Sequence, residues 1–334
     1  MHFRWVPFFL SFLAGCLPVG ASGGSVDILT LGEPVSLGRF GADGVADGEG
    51  AWITTTASAA LWWESGAKVA EIPGAGGVTP RYLGGGSFGV GLGRVTKSGV
   101  QFLPVENLAQ VEPVPEGAIS ASFSRAYSPK TAVWSANGTE VLVYAVDAPV
   151  RGRAGGTADG PMQRLLILDG KTGALKRVLS DHEARTLAAG EQHWAASAKD
   201  ISVWAAAEDA QRLPFEGTTE RTLAWSAGDR YLAAADRKGR LQVYLVESGA
   251  VVVARSVEGE GFRSLAFHPE GSLLVAGGEK GVLTVACASS SETMEIPVGS
   301  PVRAVGFVEG GRTLVVATKG ELWSYPVTQV TCPK

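Results

Sequence analysis

A pattern that recurs about every 40 residues is the feature that most constrains how this chain folds. Its clearest copies are 223–239, 265–281 and 305–320, and each begins with an apolar run that ends in an aromatic residue. These aromatic residues are Trp225, Phe267 and Phe307, which are 42 and 40 residues apart. A fixed period of roughly 20–50 residues indicates a repeat architecture, so it takes precedence over any element-by-element prediction.

Each copy has the pattern of short strands joined by tight turns. In the strand that follows the first clear copy, apolar and other side chains alternate: Leu241, Val243 and Leu245 are separated by Gln242 and Tyr244. Alternation places the apolar side chains on one face of a sheet. A single copy would leave that face in water, whereas radial stacking of copies buries both faces and shortens the exposed edges. The copies therefore predict the blades of a β-propeller.

Weaker copies precede the clear ones and bring the predicted total to seven. In chain order they are marked by Trp52, Phe88, Trp134 and Arg185–Ala188. The third blade carries an insertion, Asp147–Met162, which we place between its second and third strands. The segment Val26–Leu31 is expected to be the outer strand of the last blade and to close the ring. The predicted fold is all-β, a seven-bladed β-propeller of four-stranded antiparallel blades.

The repeats resemble those of the WD-repeat family. The likeness is strongest at Phe267-His268-Pro269-Glu270-Gly271 and at Trp225-Ser226-Ala227-Gly228-Asp229, which are similar to that family's turn after the first strand. Trp204, Trp323 and one of Trp62 or Trp63 stand near the aromatic position of the family's third strand, and Tyr244 fills it in the fifth blade. The chain departs from the family in having no Trp-Asp dipeptide.

The resemblance also implies a structural hydrogen-bond network in the fourth blade. In the family a histidine bonds a strand hydroxyl, a turn aspartate and a third-strand tryptophan. The matching residues here are His182, Ser197, Asp200 and Trp204. The alternative is a catalytic role for Asp181-His182-Glu183, the chain's only His/carboxylate cluster, in an inter-blade loop. We favour the structural role and expect no catalytic residues, no cofactor and no metal site.

The first 15 residues have the pattern of a secretory signal. Arg4 gives a charged start, and the apolar run Trp5–Leu13 that follows is too short to span a bilayer. The run ends in Leu13-Ala14-Gly15-Cys16, which resembles the bacterial lipobox, where the signal is cut before a cysteine that then receives lipid.

We therefore expect a signal over 1–15, a lipidated Cys16 with a short tether over 16–25, and one propeller domain over 26–334. The alternative is ordinary signal cleavage after Ala21, which would discard Cys16. Under either interpretation of the N-terminal sequence, the protein is exported. The expected location is the bacterial cell envelope, lipid-anchored on the extracytoplasmic side.

Two further cysteines remain, and the charge pattern limits the partners. An oxidising exterior would permit Cys287 and Cys332 to pair, but two separate buried thiols are the open alternative. The formal net charge is −4, and no block of Lys and Arg occurs, so we expect no nucleic-acid partner.

The absence of a reactive constellation in the sequence favours binding over catalysis. We expect a membrane-anchored scaffold that binds a protein or peptide, with the insertion as a recognition loop that presents Arg151 and Arg153. An insertion that is merely tolerated is the alternative. Two other functions stay open: a lactonase-like propeller hydrolase, which needs acids or histidines gathered at the channel mouth, and an outer-membrane assembly factor.

Overall fold

A computed structural model describes residues 27–77, 79–103, 127–147, 163–180, 183–205, 210–218 and 221–332. These residues form 29 strands in seven antiparallel sheets, together with one short 3-10 turn, Ala227–Asp229. The all-β prediction and the blade number are therefore confirmed. No helix in the described ranges has both the length and the apolar character needed to cross a membrane.

The first two strands are β1 (Leu29–Leu31) and β2 (Val35–Gly38). Blade 1 follows with β3 (Gly44–Asp47), β4 (Trp52–Thr55), β5 (Ala59–Glu64) and β6 (Ala67–Pro73). Blade 2 has β7 (Arg81–Gly84), β8 (Ser87–Val90), β9 (Gly93–Thr96) and β10 (Gly99–Phe102). Blade 3 has β11 (Tyr127–Trp134), β12 (Glu140–Asp147), β13 (Gln163–Asp169) and β14 (Leu175–Ser180).

Blade 4 has β15 (Thr186–Ala189), β16 (His193–Ser197), β17 (Ile201–Ala205) and β18 (Gln211–Leu213). Blade 5 has β19 (Arg221–Trp225), β20 (Tyr231–Asp236), β21 (Arg240–Leu245) and β22 (Ala250–Ser256). Blade 6 has β23 (Phe262–Phe267), β24 (Leu273–Gly278), β25 (Val282–Cys287) and β26 (Thr293–Pro297). Blade 7 has β27 (Val302–Val308), β28 (Thr313–Thr318) and β29 (Leu322–Val330).

The first two described strands and the last one meet in blade 7. β1 and β2 both pair with β29, with Leu29 opposite Val330 and Val35 opposite Ser324. The expected clasp is thus confirmed, and it continues into a second segment, β2, that the sequence pattern did not indicate. Closure of this kind pairs the outer edge of the last blade with a strand from far away in the sequence.

The aromatic residues that mark the blades occupy two different strands. Trp134, Trp225 and Phe267 end the first strands of their blades. Trp52 and Phe88 lie instead in second strands, β4 and β8. The predicted third-strand aromatics are where the resemblance placed them, in β5, β17, β21 and β29.

Hydrophobic packing lies between blades. The described residues form seven buried clusters, and each joins residues of two adjacent blades. In β12, Val141 and Val143 join the cluster shared with blade 2, whereas Leu142 and Tyr144 join the one shared with blade 4. This is the two-residue alternation of a strand that is buried on both faces. Each such side chain contributes about 1.5–3 kcal/mol, so the ring depends on all its interfaces.

The ring has two distinct faces. The first strands of blades 3 to 7 and of blade 1 contact one another in order, so first strands line the central channel. Because the strands of a blade alternate in direction, the loops between blades and the loops between second and third strands share one face, which we call the inter-blade face. The remaining turns share the opposite face. β12 ends and β13 begins on the inter-blade face, so the predicted 147–162 insertion joins two strand ends there. Its first residue, Asp147, belongs to β12, where it pairs with Tyr127, and 148–162 lie outside the described residues.

Candidate functional site

A basic residue recurs at one sequence position, in or just before the first strand, in five consecutive blades. The position is four residues before Trp134, Ala189, Trp225, Phe267 and Phe307, residues that each pair with the second strand close to the turn. It is occupied by Lys130, Arg185, Arg221, Arg263 and Arg303, which we call the cation row. The first strands start at the inter-blade face, so the cation row lies around that mouth of the channel.

Three members of the cation row stand at irregularities in strand pairing. The register between first and second strands shifts at Lys130 in blade 3, at Arg263 in blade 6 and at Arg303 in blade 7. A β-bulge leaves one residue out of the ladder and changes the direction of its side chain. The same bulge in three blades therefore turns a basic side chain away from regular sheet packing in each of them.

Four arginines converge on a cleft of about 280 Å³ at the first strands of blades 4 to 6. We call it the arginine cleft, and its arginines are Arg185, Arg221, Arg237 and Arg263. Thr186, Thr222 and Phe262 complete the lining, which includes no acidic side chain among the described residues. Guanidinium groups present planar forks of donors that match carboxylates and phosphates. The cleft is chemically suited to an anion.

Arg221 is the most rigidly held member of the cleft. It is only 6% exposed, and it donates to the Ser197 hydroxyl at 3.1 Å and to the carbonyl of Lys199 at 2.8 Å. Its guanidinium lies over the Phe215 ring, 4.6 Å from the ring centre. Burial lowers the pKa of Arg221 below its usual value. Its Nε is buried and has no hydrogen-bond partner within the described ranges, a situation that costs about 1–3 kcal/mol.

The outer arginines of the cleft have exposed acidic neighbours. Arg185 pairs with Glu183 at 3.1 Å, and the Nε of Arg263 lies 2.5 Å from a carboxylate oxygen of Glu279. The side chain of Glu183 is 48% exposed and that of Glu279 is 43% exposed. Exposed ion pairs contribute roughly 0–1 kcal/mol. A ligand carboxylate can therefore replace Glu183 as the partner of Arg185, or Glu279 as the partner of Arg263, at little cost in free energy.

The channel itself is crossed by an arginine. A cavity of about 570 Å³ is lined largely by first-strand residues of several blades. Arg81 of blade 2 donates to the carbonyls of Ala189 and Gly190 in blade 4, the latter at 3.1 Å. Burial lowers the pKa of Arg81, and the charges of Asp229 and Glu191 oppose this shift. Arg81 thus links two blades that are not neighbours.

The structure describes three of the four residues that are expected to form the hydrogen-bond network of blade 4. Ser197 ends β16, and its hydroxyl accepts a hydrogen bond from Arg221. Trp204 lies in β17, and Asp200 lies in the loop that precedes it. His182, Cys16, Arg151 and Arg153 all lie outside the described residues, so the network, the lipid site and the recognition loop stay predictions.

The two remaining cysteines are joined. Cys287, at the end of β25, and Cys332, just after β29, form a disulfide with an S–S distance of 2.11 Å. Of the two arrangements that the sequence left open, the structure has the paired one. In the described ranges, no group of three or more His, Cys, Asp and Glu side chains is arranged to hold a metal ion.

The cation row was not anticipated as a site. A blade repeat is indicated by the match between Arg185-Thr186-Leu187-Ala188 and Arg221-Thr222-Leu223-Ala224. Extending the same alignment to the later blades brings Arg263 and Arg303 to the same position, so the recurring charge can be found in the sequence. The bulges that redirect Lys130, Arg263 and Arg303 leave no comparable signal in the sequence. Their recognition requires the strand register.

Comparison with known proteins supports the fold. No family model matches the sequence, and no curated protein is significantly similar to it. Among solved structures, the chain is similar to the WD40 repeats of RRP9, with a TM-score of 0.64 and 10% sequence identity. The match covers 89% of this chain and 100% of that one. At this identity the likeness shows the fold alone: the chain is a seven-bladed β-propeller of four-stranded antiparallel blades, the architecture that the WD40 repeats of RRP9 also have.

Proposed function

We propose that this chain is a scaffold that binds a protein partner on its inter-blade face rather than an enzyme. The observation that carries the proposal is the unequal number of residues that connect the strands on the two faces. The connections between β10 and β11 and between β12 and β13 span residues 103–126 and 148–162, and both begin and end on the inter-blade face beside blade 3. Loops that exceed what the ring needs, on a rigid support, are typical of recognition surfaces.

Site-directed photo-crosslinking tests which face binds. A photo-reactive residue is placed at Lys238 or Lys280, which are exposed in loops on the inter-blade face, or at Lys171, an exposed control in a turn on the opposite face. We expect Lys238 and Lys280 to give the same protein adduct in intact cells, and Lys171 to give none. Equal adducts from both faces, or none from any position, would contradict the proposal.

We further propose that the protein is exported and anchored by lipid at Cys16. The Leu13-Ala14-Gly15-Cys16 sequence supports this, as does the disulfide between Cys287 and Cys332, because disulfides persist mainly in oxidising compartments. Two acyl signals are enough for stable membrane attachment, whereas one chain gives only reversible binding. The envelope is the location that fits both features.

The anchor predicts a clear fractionation result in a bacterial host. The Cys16→Ser variant is expected to leave the membrane fraction and to lose the mass of the attached acyl chains, while the neighbouring control Ser25→Ala stays with membranes. Fractionation and intact mass measure the two effects. A wild-type product that begins at Ser22 and carries no lipid would instead establish ordinary signal cleavage.

A further inference from the structure

We propose that the cation row and the arginine cleft bind an extended acidic segment of the protein partner through its carboxylates. This inference rests on the proposed scaffold function and names the chemistry of the partner. It starts from a charge arrangement that ring packing does not require: Lys130, Arg185, Arg221, Arg263 and Arg303 each stand four residues before the equivalent first-strand residue in five consecutive blades.

The first step concerns the positive charge that lines the cleft. Arg185, Arg221, Arg237 and Arg263 line one cavity, and no described lining residue is acidic. Like charges brought together repel one another, and their fields add at the mouth of the cleft. Asp200 and Asp236, whose charges act on Arg221, and the exposed Glu183 and Glu279 offset part of this repulsion, and carboxylates that enter the cleft offset more of it. The exposed pairs with Glu183 and Glu279 are readily exchanged for ligand carboxylates of the same charge.

The second step is pre-organisation at the base of the cleft. Arg221 is fixed by Ser197, by the carbonyl of Lys199 and by the ring of Phe215, so little side-chain freedom remains to be lost on binding. The more exposed Arg185 and Arg263 lie on either side of it, in blades 4 and 6. A fixed central charge with adaptable neighbours suits a ligand that presents several anions.

The third step distinguishes a peptide from other anions. The first strands that carry the cation row contact one another in sequence around the channel, so the charges follow an arc. A single small anion occupies one point on this arc, whereas an extended chain with repeated Asp or Glu reaches several points. The formal net charge of −4 repels a long polyanion that approaches the rest of the surface. A short acidic segment avoids that repulsion.

Peptide binding to the detergent-solubilised full-length chain tests the inference. The probe is a fluorescent peptide of about ten residues that alternates Glu and Gly, and its control carries Gln in place of Glu. We expect the Glu peptide alone to bind, and its affinity to fall between about 50 mM and 300 mM salt because screening weakens exposed charge pairs. Anisotropy gives the dissociation constants. No binding, or equal binding of both peptides, would overturn the inference.

Matched variants locate the binding site. Arg185→Gln with Arg263→Gln removes one exposed and one half-buried cleft charge and is expected to weaken binding of the Glu peptide by at least about tenfold. Arg212→Gln with Arg255→Gln removes two exposed charges from the outer strands β18 and β22 and is expected to change the affinity by less than about twofold. Equal weakening in the two double variants would place binding outside the cleft.

Two further readouts separate the competing explanations. A single-stranded oligodeoxythymidine of similar length is expected to bind more weakly than the Glu peptide; tighter binding that depends on Arg185 and Arg263 would overturn the acidic-peptide inference in favour of nucleic acid. The photo-crosslinks from Lys238 and Lys280 are then repeated in the Arg185/Arg263 double variant. Undiminished adducts would overturn this inference alone, whereas loss of face selectivity in the wild type would remove the scaffold function itself.

Discussion

Removal of the disulfide by the double substitution Cys287→Ala and Cys332→Ser is expected to lower the free energy of unfolding by about 4 kcal/mol, because the bond closes a loop with a sequence separation of 45 residues in the unfolded chain. Equilibrium denaturation in urea measures the change. The location of the bond adds to its effect. Cys332 lies two residues after the end of β29, the strand that pairs with β1 and β2 from the start of the described chain.

Thr331, next to Cys332, makes hydrogen bonds to the residues that precede β1. The amide of Thr331 donates to the carbonyl of Ile28 at 3.2 Å, and its hydroxyl donates to the carbonyl of Asp27 at 2.7 Å. Reduction of the wild type should therefore reproduce the loss seen in the double variant, and reductant should have no effect on the double variant itself. Identical urea midpoints for the oxidised and reduced wild type would show that the bond does not stabilise the ring.

The blade architecture could be predicted because it depends on local and periodic signals. The copies around Trp225, Phe267 and Phe307 match β19, β23 and β27, and alternation identifies the third strands. The insertion after β12 also follows from spacing alone. These features are determined by the apolar period and by turn residues, both of which can be read along the chain.

The parts that escaped prediction depend on contacts between distant residues. β2 pairs with β29 although its own sequence, Val35–Gly38, contains no strong strand pattern. The bulge at Arg263 exists because the two strands of blade 6 fall out of register, which is a property of the pair rather than of either strand. The arginine cleft depends on the bulge at Arg263 and on the order of the blades. Its separate arginines were visible in the sequence, but their convergence was not.

Turns on the opposite face join neighbouring blades through buried acceptors. Asp229, in the turn after β19 of blade 5, is 4% exposed and accepts the backbone amides of Glu191, Gln192 and His193 in blade 4 at 2.7, 2.6 and 2.9 Å. The Nδ1 of His193 lies 3.1 Å from the same carboxylate. One aspartate thus satisfies an entire turn of the adjacent blade. Asp47 has the same function between blades 1 and 7, where it accepts the amides of two residues at 2.8 Å each.

This arrangement predicts a graded loss of stability. Asp229→Ala is expected to lower the free energy of unfolding by about 3 kcal/mol, because three amide donors lose their acceptor and are only partly rehydrated. Its φ of 56° adds to the loss, since this left-handed conformation disfavours alanine more than aspartate or asparagine. Asp229→Asn keeps the conformation and one acceptor oxygen, so it should cost less.

Asp47→Ala is the matched control, with an expected loss of about 1 kcal/mol, because it removes the acceptor of two amides at a more exposed turn. Urea denaturation followed by tryptophan fluorescence measures the whole series, and Trp225, which stacks on His193, reports locally on the turn. The order Asp229→Ala, Asp229→Asn, Asp47→Ala follows from the number and burial of the lost hydrogen bonds. Equal losses for the two alanine variants would contradict the dependence on the number and burial of the lost hydrogen bonds, and negligible losses in both would mean that the apolar interfaces alone hold the blades together.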